Sequence, residues 1–164
     1  MNAVTEEIKQ LKKEKNAVIL AHYYVEDAVQ EIADYIGDSY YLSRLATETT
    51  ADVVVFCGVG FMGESAKGIK SGEKVLMPDM SADCPMAHMA DIAGIEKLRA
   101  EYEDLAVVCY INSTAEVKST RGCMCDFLQM TLKDLVKALP NKHILFIPDD
   151  NLGLFYCRAG CLRK

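Results

Sequence analysis

Polar and apolar positions along the chain alternate between a helical period and short unbroken apolar runs. Val4 to Lys15 reads as an amphipathic helix. It is followed by Asn16-Ala17-Val18-Ile19-Leu20-Ala21, a run of the kind found where a strand is buried on both sheet faces. Further strands are predicted at Asp52 to Cys57, Lys74 to Met77, Leu105 to Tyr110 and His143 to Ile147. Helical stretches separate them at Val25 to Tyr35, Ser39 to Thr50, Met62 to Lys70, Ile92 to Tyr102 and Thr131 to Leu139. Strands alternating with helices imply βαβ units, hence parallel sheets with helices on both faces. Ligands in such folds gather beyond the carboxyl ends of the strands.

Those ends carry polar or small residues. The first strand runs into His22-Tyr23-Tyr24, the second into Gly58-Val59-Gly60-Phe61-Met62-Gly63-Glu64, the third into Pro78-Asp79 and on to Cys84, and the fourth into Tyr110-Ile111-Asn112. VILAHYY and VVCYINS occupy corresponding places in the two halves, as an internal duplication would leave them.

Composition narrows the class. A chain of 164 residues that is 51% hydrophobic, with four prolines, forms one packed domain or two small ones. A formal charge of -6 without a basic cluster excludes the electrostatic footprint of a nucleic-acid binder or of a protein drawn to anionic membranes. The longest apolar run, Ala51 to Met62, is too short to span a bilayer. Seven cysteines without a leader pattern point to a reducing cytoplasm, where thiols are buried, catalytic or metal-bound.

Each candidate residue has a structural and a chemical reading. Gly58-x-Gly60-x-x-Gly63 has the form of a dinucleotide fingerprint, but it follows the second predicted strand and carries bulky Phe61-Met62; the alternative is a tight turn with close helix-strand packing. His22 is a general acid or base, a carboxylate binder or a metal ligand, or else a histidine donating to a backbone carbonyl. Ser39 has the default role of N-cap to the helix that follows. Tyr24 and Tyr110 are functional hydroxyls or satisfied buried tyrosines. Cys84 and His88, four apart, would share one face of a helix as metal ligands, or Cys84 is an inert buried thiol. Cys123-x-Cys125 leaves one residue between thiols where structural metal sites leave two to four.

Taken in order, ILAHYY, IADYIGDS, ADVVVFCGVGFMGESAK, KVLMPDMSADCPMA, YINSTAEVK and FIPDDNLG resemble the A-type quinolinate synthases of NAD biosynthesis. The resemblance covers nearly the whole chain. It implies a transferase that condenses iminoaspartate with dihydroxyacetone phosphate to quinolinate, using a [4Fe-4S] cluster held by three cysteines whose open iron acts as a Lewis acid. It implies that Cys84 is a cluster ligand and that His22, Ser39, Tyr110 and Asn112 contact substrate. Tyr24 would assist proton transfer, with Phe61, Met62 and Glu64 in the pocket wall. The implied fold is a set of repeated three-layer α/β domains with short parallel sheets in pseudo-threefold array. On this resemblance residues 1–84 are expected to form the first and 85–164 a second, incomplete at its C-terminus, with the third expected to be absent.

The expected second and third cluster ligands have no counterpart here, so the chain is expected to be inactive alone, and a companion fragment would have to supply the rest. Surfaces meant for a third domain would be exposed, which predicts poor solubility. The resemblance lapses within residues 119–130 and 154–164. Met124-Cys125-Asp126-Phe127-Leu128-Gln129 can be encoded by codons that, one base later, read C-V-T-S-S as the family has it. Phe155-Tyr156-Cys157-Arg158-Ala159 can likewise be read as F-I-A-E. The expectation is that both stretches are out of frame. Cys123, Cys125, Cys157 and Cys161 are then accidents, and Phe127 replaces a substrate-binding serine. Coding DNA incompatible with those codons refutes this. The alternative function is a non-catalytic α/β module that binds a dicarboxylate or nucleotide through the glycine turn.

Overall fold

The computed structural model describes residues 3–69, 72, 74–120, 122–125, 139–140 and 143–158. The chain divides into two compact units, Met1–Asp83 and Cys84–Lys164.

In the first unit, α1 (Ala3–Glu14) leads into β1 (Ala17–His22), followed by the short α2 (Asp27–Gln30), β2 (Tyr35–Gly37), α3 (Ser39–Glu48), β3 (Val53–Cys57), α4 (Gly60–Ile69) and β4 (Lys74–Leu76). The strands form one parallel sheet in the order β2-β1-β3-β4. Because register pairs Val18 with Val54 and Leu20 with Phe56, these four side chains share one face. That face is the deepest part of the core: Leu20 and Phe56 are fully buried, and Leu42 and Ala46 of α3 and Met62 and Ala66 of α4 are buried as well. On the opposite face Ile19, Ala21 and Cys57 pack with Ile8 of α1 and with Val25, Val29 and Ala33 around α2.

The predicted helix over Val25 to Tyr35 is not what forms. Only Asp27–Gln30 is helical, and Tyr35–Gly37 becomes an edge strand paired with Leu20 to His22. The cause is Asp34. Its carboxylate accepts from the Ile19 backbone N–H at 2.8 Å and from Lys12 Nζ at 2.6 Å, and its own N–H donates to the Ile19 carbonyl at 2.9 Å. Those contacts draw the segment onto the edge of β1, and local helix propensity yields to tertiary pairing.

The described residues of the second unit hold a 3₁₀ turn at Pro85–His88, α5 (Ile92–Glu101), β5 (Leu105–Cys109), α6 (Ala115–Lys118), β6 (Cys123–Cys125), β7 (His143–Ile147) and α7 (Asp150–Arg158). Its sheet is also parallel, ordered β6-β5-β7. Ile95 of α5 and Val117 of α6 bury the face of Val107, Cys109 and Ile147. The helix expected at Thr131 to Leu139 lies almost entirely outside the described residues. Residues 126–130 and Cys161 lie outside them too, while Cys123–Cys125 forms the edge strand β6.

Strand registers repeat between the units. Ala17–Val53 through Ala21–Cys57 in the first matches Leu105–His143 through Cys109–Ile147 in the second, and in both the first strand of the unit is flanked by the two strands that follow it. In both, too, a four-residue helix follows that first strand. VILAHYY and VVCYINS therefore hold corresponding strand ends, with His22 and Tyr110 each at the first position beyond the shared ladder.

Candidate functional site

Each unit places candidate residues at the carboxyl ends of its strands, except Cys84, which opens the second unit ahead of its first strand. In the first, β1 ends at His22, which is 6% exposed. Its Nδ1 accepts from the Tyr24 backbone N–H at 3.2 Å, so the ring acts as acceptor to the main chain rather than donor to a carbonyl. In the neutral ring this leaves the proton on Nε2. Tyr23 stacks on the imidazole with centroids 4.4 Å apart, Tyr24 lies tilted at 4.6 Å, and the Tyr23 hydroxyl donates to that of Tyr24 at 3.4 Å. Tyr24 is 81% exposed, so its expected proton-transfer role falls on a surface hydroxyl within this unit.

Burial pushes the His22 imidazole below its ordinary value, and the Asp38 carboxylate pulls in the opposite direction. A ring kept neutral by the fold favours the native state only while the unfolded ring is neutral as well. This stabilisation is complete above the unfolded value of about 6.5 and is lost as pH falls through the lower folded value. Denaturant titrations between pH 7.5 and 5 are expected to show the first unit weakening, with the slope reduced in His22→Gln.

Asp38, rather than Ser39, caps α3: its Oδ1 accepts from the Tyr41 N–H at 2.8 Å. Ser39 is the first helical residue, buried to 6% exposure, and its hydroxyl is not the cap. Asp38→Ala is expected to cost about 1 kcal/mol through loss of the cap. It should also lower the His22 pKa further, read by NMR titration of the imidazole. One turn on, Ser43 is 2% exposed, and its Oγ has no hydrogen-bond partner among the described residues. The spacing of four between Ser39 and Ser43 is the signal that would have flagged it.

The glycine motif serves packing. None of its three glycines has a positive φ; among the described residues Gly122 is the one glycine that does, alongside the non-glycine Asn16. A Cβ on Gly58 would stand 2.7 Å from Met62 Sδ, and one on Gly63 would meet the side chain of Met77. Helix α4 starts at Gly60, two residues before the predicted boundary, and the Gly60 N–H donates to the Ala82 carbonyl at 2.9 Å. That N–H is therefore not offered to a phosphate, and the tight-turn reading holds over the dinucleotide one. Phe61 and Met62 are both 3% exposed, whereas Glu64 is exposed.

In the second unit β5 delivers Tyr110, Asn112 and Ser113. The Tyr110 N–H donates to the Ile147 carbonyl at 2.8 Å, and the wholly buried Ser113 hydroxyl donates to the Tyr110 carbonyl at 3.0 Å. Thr114 caps α6 through the Val117 N–H. The Asn112 side-chain oxygen is buried with no partner among the described residues, an acceptor that a ligand N–H or O–H would satisfy.

Cys84 has extended backbone and precedes the 3₁₀ turn, so it and the exposed His88 are not presented along one α-helical face. Among the described residues no three His, Cys, Asp or Glu side chains group to hold a metal. Burial pushes the Cys57 thiol up, and buried Cys109 donates to the Tyr110 carbonyl. The described residues therefore do not by themselves fit a three-cysteine cluster. No helix among them is long and apolar enough to cross a membrane.

Parallel sheets with polar residues just beyond the strand ends define an α/β protein. The family of quinolinate synthetase A proteins matches residues 6–160, and the chain belongs to that family. It is 52% identical over 150 residues, 92% of its length, to a quinolinate synthase of Clostridioides difficile strain 630. Identity to the quinolinate synthase of Caldicellulosiruptor saccharolyticus is 47% over 93% of the chain, and to that of Pelobacter propionicus 49% over 96%. The alignments take in 49%, 50% and 51% of those relatives in turn, so the chain spans about half the length of the curated relatives it matches.

Proposed function

We propose that this chain carries two of the substrate-binding walls of a quinolinate synthase, a cytoplasmic transferase that condenses iminoaspartate with dihydroxyacetone phosphate in NAD biosynthesis. Family membership over 6–160 supports the reaction, and the unsatisfied buried oxygen of Asn112 is the observation that carries a ligand. In this reading neutral His22 donates from Nε2 to a substrate oxygen. Ser39 and Tyr110 add hydroxyl contacts, and Asn112 accepts from the substrate. The Tyr24 hydroxyl, with Tyr23 as its donor, is left to donate in proton transfer. Phe61 and Met62 close the apolar wall.

The [4Fe-4S] cluster of the family supplies Lewis acidity when bound. Cys84 is the ligand proposed here, and the other thiolates come from outside the described residues. The chain alone is inactive in this reading and works with a companion fragment.

Titration calorimetry with dicarboxylate analogues of iminoaspartate, run against NAD, tests the proposal. Dicarboxylate binding that weakens in Asn112→Ala is the expected result. Binding of NAD without dicarboxylate would favour the nucleotide module instead.

A further inference from the structure

The first unit has an open apolar groove of about 760 Å³ on the sheet face opposite α3 and α4. Its floor is Ile19, Val53, Val55, Cys57 and Leu76, and Leu11 of α1 forms part of its wall. Leu76 is 42% exposed and Leu11 45%, and α1 has no buried residue at all. A parallel sheet is stable with both faces covered. Here one face carries two ten-residue helices, α3 and α4, while the other carries α1 and the four-residue α2.

Connectivity explains the gap. With strand order β2-β1-β3-β4 and right-handed crossovers, the rightward steps β2 to β3 and β3 to β4 put α3 and α4 on one face. Only the leftward step from β1 to β2 places chain on the other. After β4 the chain passes into the second unit, so among the described residues of the first unit no further element covers β3 and β4.

Charge at the groove's ends specifies what fits. The strands are parallel, so Lys15, just before β1, marks the amino end, and Glu26 and Asp79, after β1 and β4, mark the carboxyl end. An α-helix lying antiparallel to the strands, as crossover helices do, would set its positive N-terminus by Glu26 and Asp79 and its negative C-terminus by Lys15. Polar side chains sit at the ends rather than converging on the floor, which suits a helix better than a small molecule.

We infer that this groove is the docking slot for an amphipathic helix from the half of the family polypeptide that these 164 residues do not span. The relatives, about twice as long as the matched region, have the chain to supply it. The inference rests on family membership and not on the proposed reaction.

Co-expression with the unmatched half of the Clostridioides difficile relative tests it. A 1:1 complex by sedimentation is expected. Leu76→Lys, at an already exposed position, and Val55→Glu should each weaken it at least tenfold, with thermal melts showing that the variants fold. Gly68→Glu on α4, where an added Cβ meets nothing within 4 Å, should leave the complex intact. Three results overturn the proposal: failure to co-purify, a complex indifferent to both groove substitutions, or a dimer of this chain that Leu76→Lys dissolves. Complex formation is read without turnover, so it fails separately from the catalytic reading.

Discussion

Phe56→Ala is expected to remove most of the stability of the first unit, leaving it folded only marginally at ambient temperature. The side chain is fully buried, paired in register with the equally buried Leu20, with its ring edge close to the space above Gly58. Removing a buried phenylalanine costs about 3–5 kcal/mol through lost transfer energy and the cavity left behind. Whole domains hold only about 5–15 kcal/mol, and a unit with a four-stranded sheet lies toward the lower end. Leu76→Ala, on the open face, should fall within about 0.5 kcal/mol of the parent. Urea titration of both variants checks this. Equal midpoint shifts would mean that the face of α3 and α4 is not the core.

His22→Ala is expected to weaken binding of a dicarboxylate analogue by about 10- to 150-fold. A hydrogen bond to a charged partner contributes about 1.5–3 kcal/mol, and every 1.4 kcal/mol is tenfold. The loss has two sources. The Nε2–H donor disappears, and the Tyr24 N–H loses the acceptor that orders the Tyr23–Tyr24 pair. His22→Asn offers an amide oxygen to Tyr24 and an N–H outward, and should recover part of the affinity. Calorimetry at pH 7.5 separates the cases. An alanine variant that binds as well as the parent removes His22 from the site.

Where the candidate residues lie in the fold could be read from sequence because strand ends in an alternating β/α pattern are where polar side chains become available to ligands. His22, Ser39, Tyr110 and Asn112 all stand at such ends. The cap role of Asp38 was not legible, and for Ser43 the sequence carried only its spacing of four from Ser39. A cap one residue earlier than Ser39 and a buried unpaired hydroxyl depend on where a helix starts and which face it buries, and boundaries are weakly encoded. The glycine motif shows the limit from the other side. Its spacing matches a phosphate turn, yet Met62 and Met77 occupy the space beside it.

By itself the sequence determined the α/β class, the positions of the five apolar strands and the family, because apolar runs, their spacing and chemically specific motifs are properties of the chain alone. Only the tertiary structure decided that Asp34 turns a predicted helix into an edge strand, that α3 and α4 lie together on one face, and that the other face is left half covered. These outcomes follow from hydrogen bonds and burial between segments distant in sequence, whose energies no local pattern records.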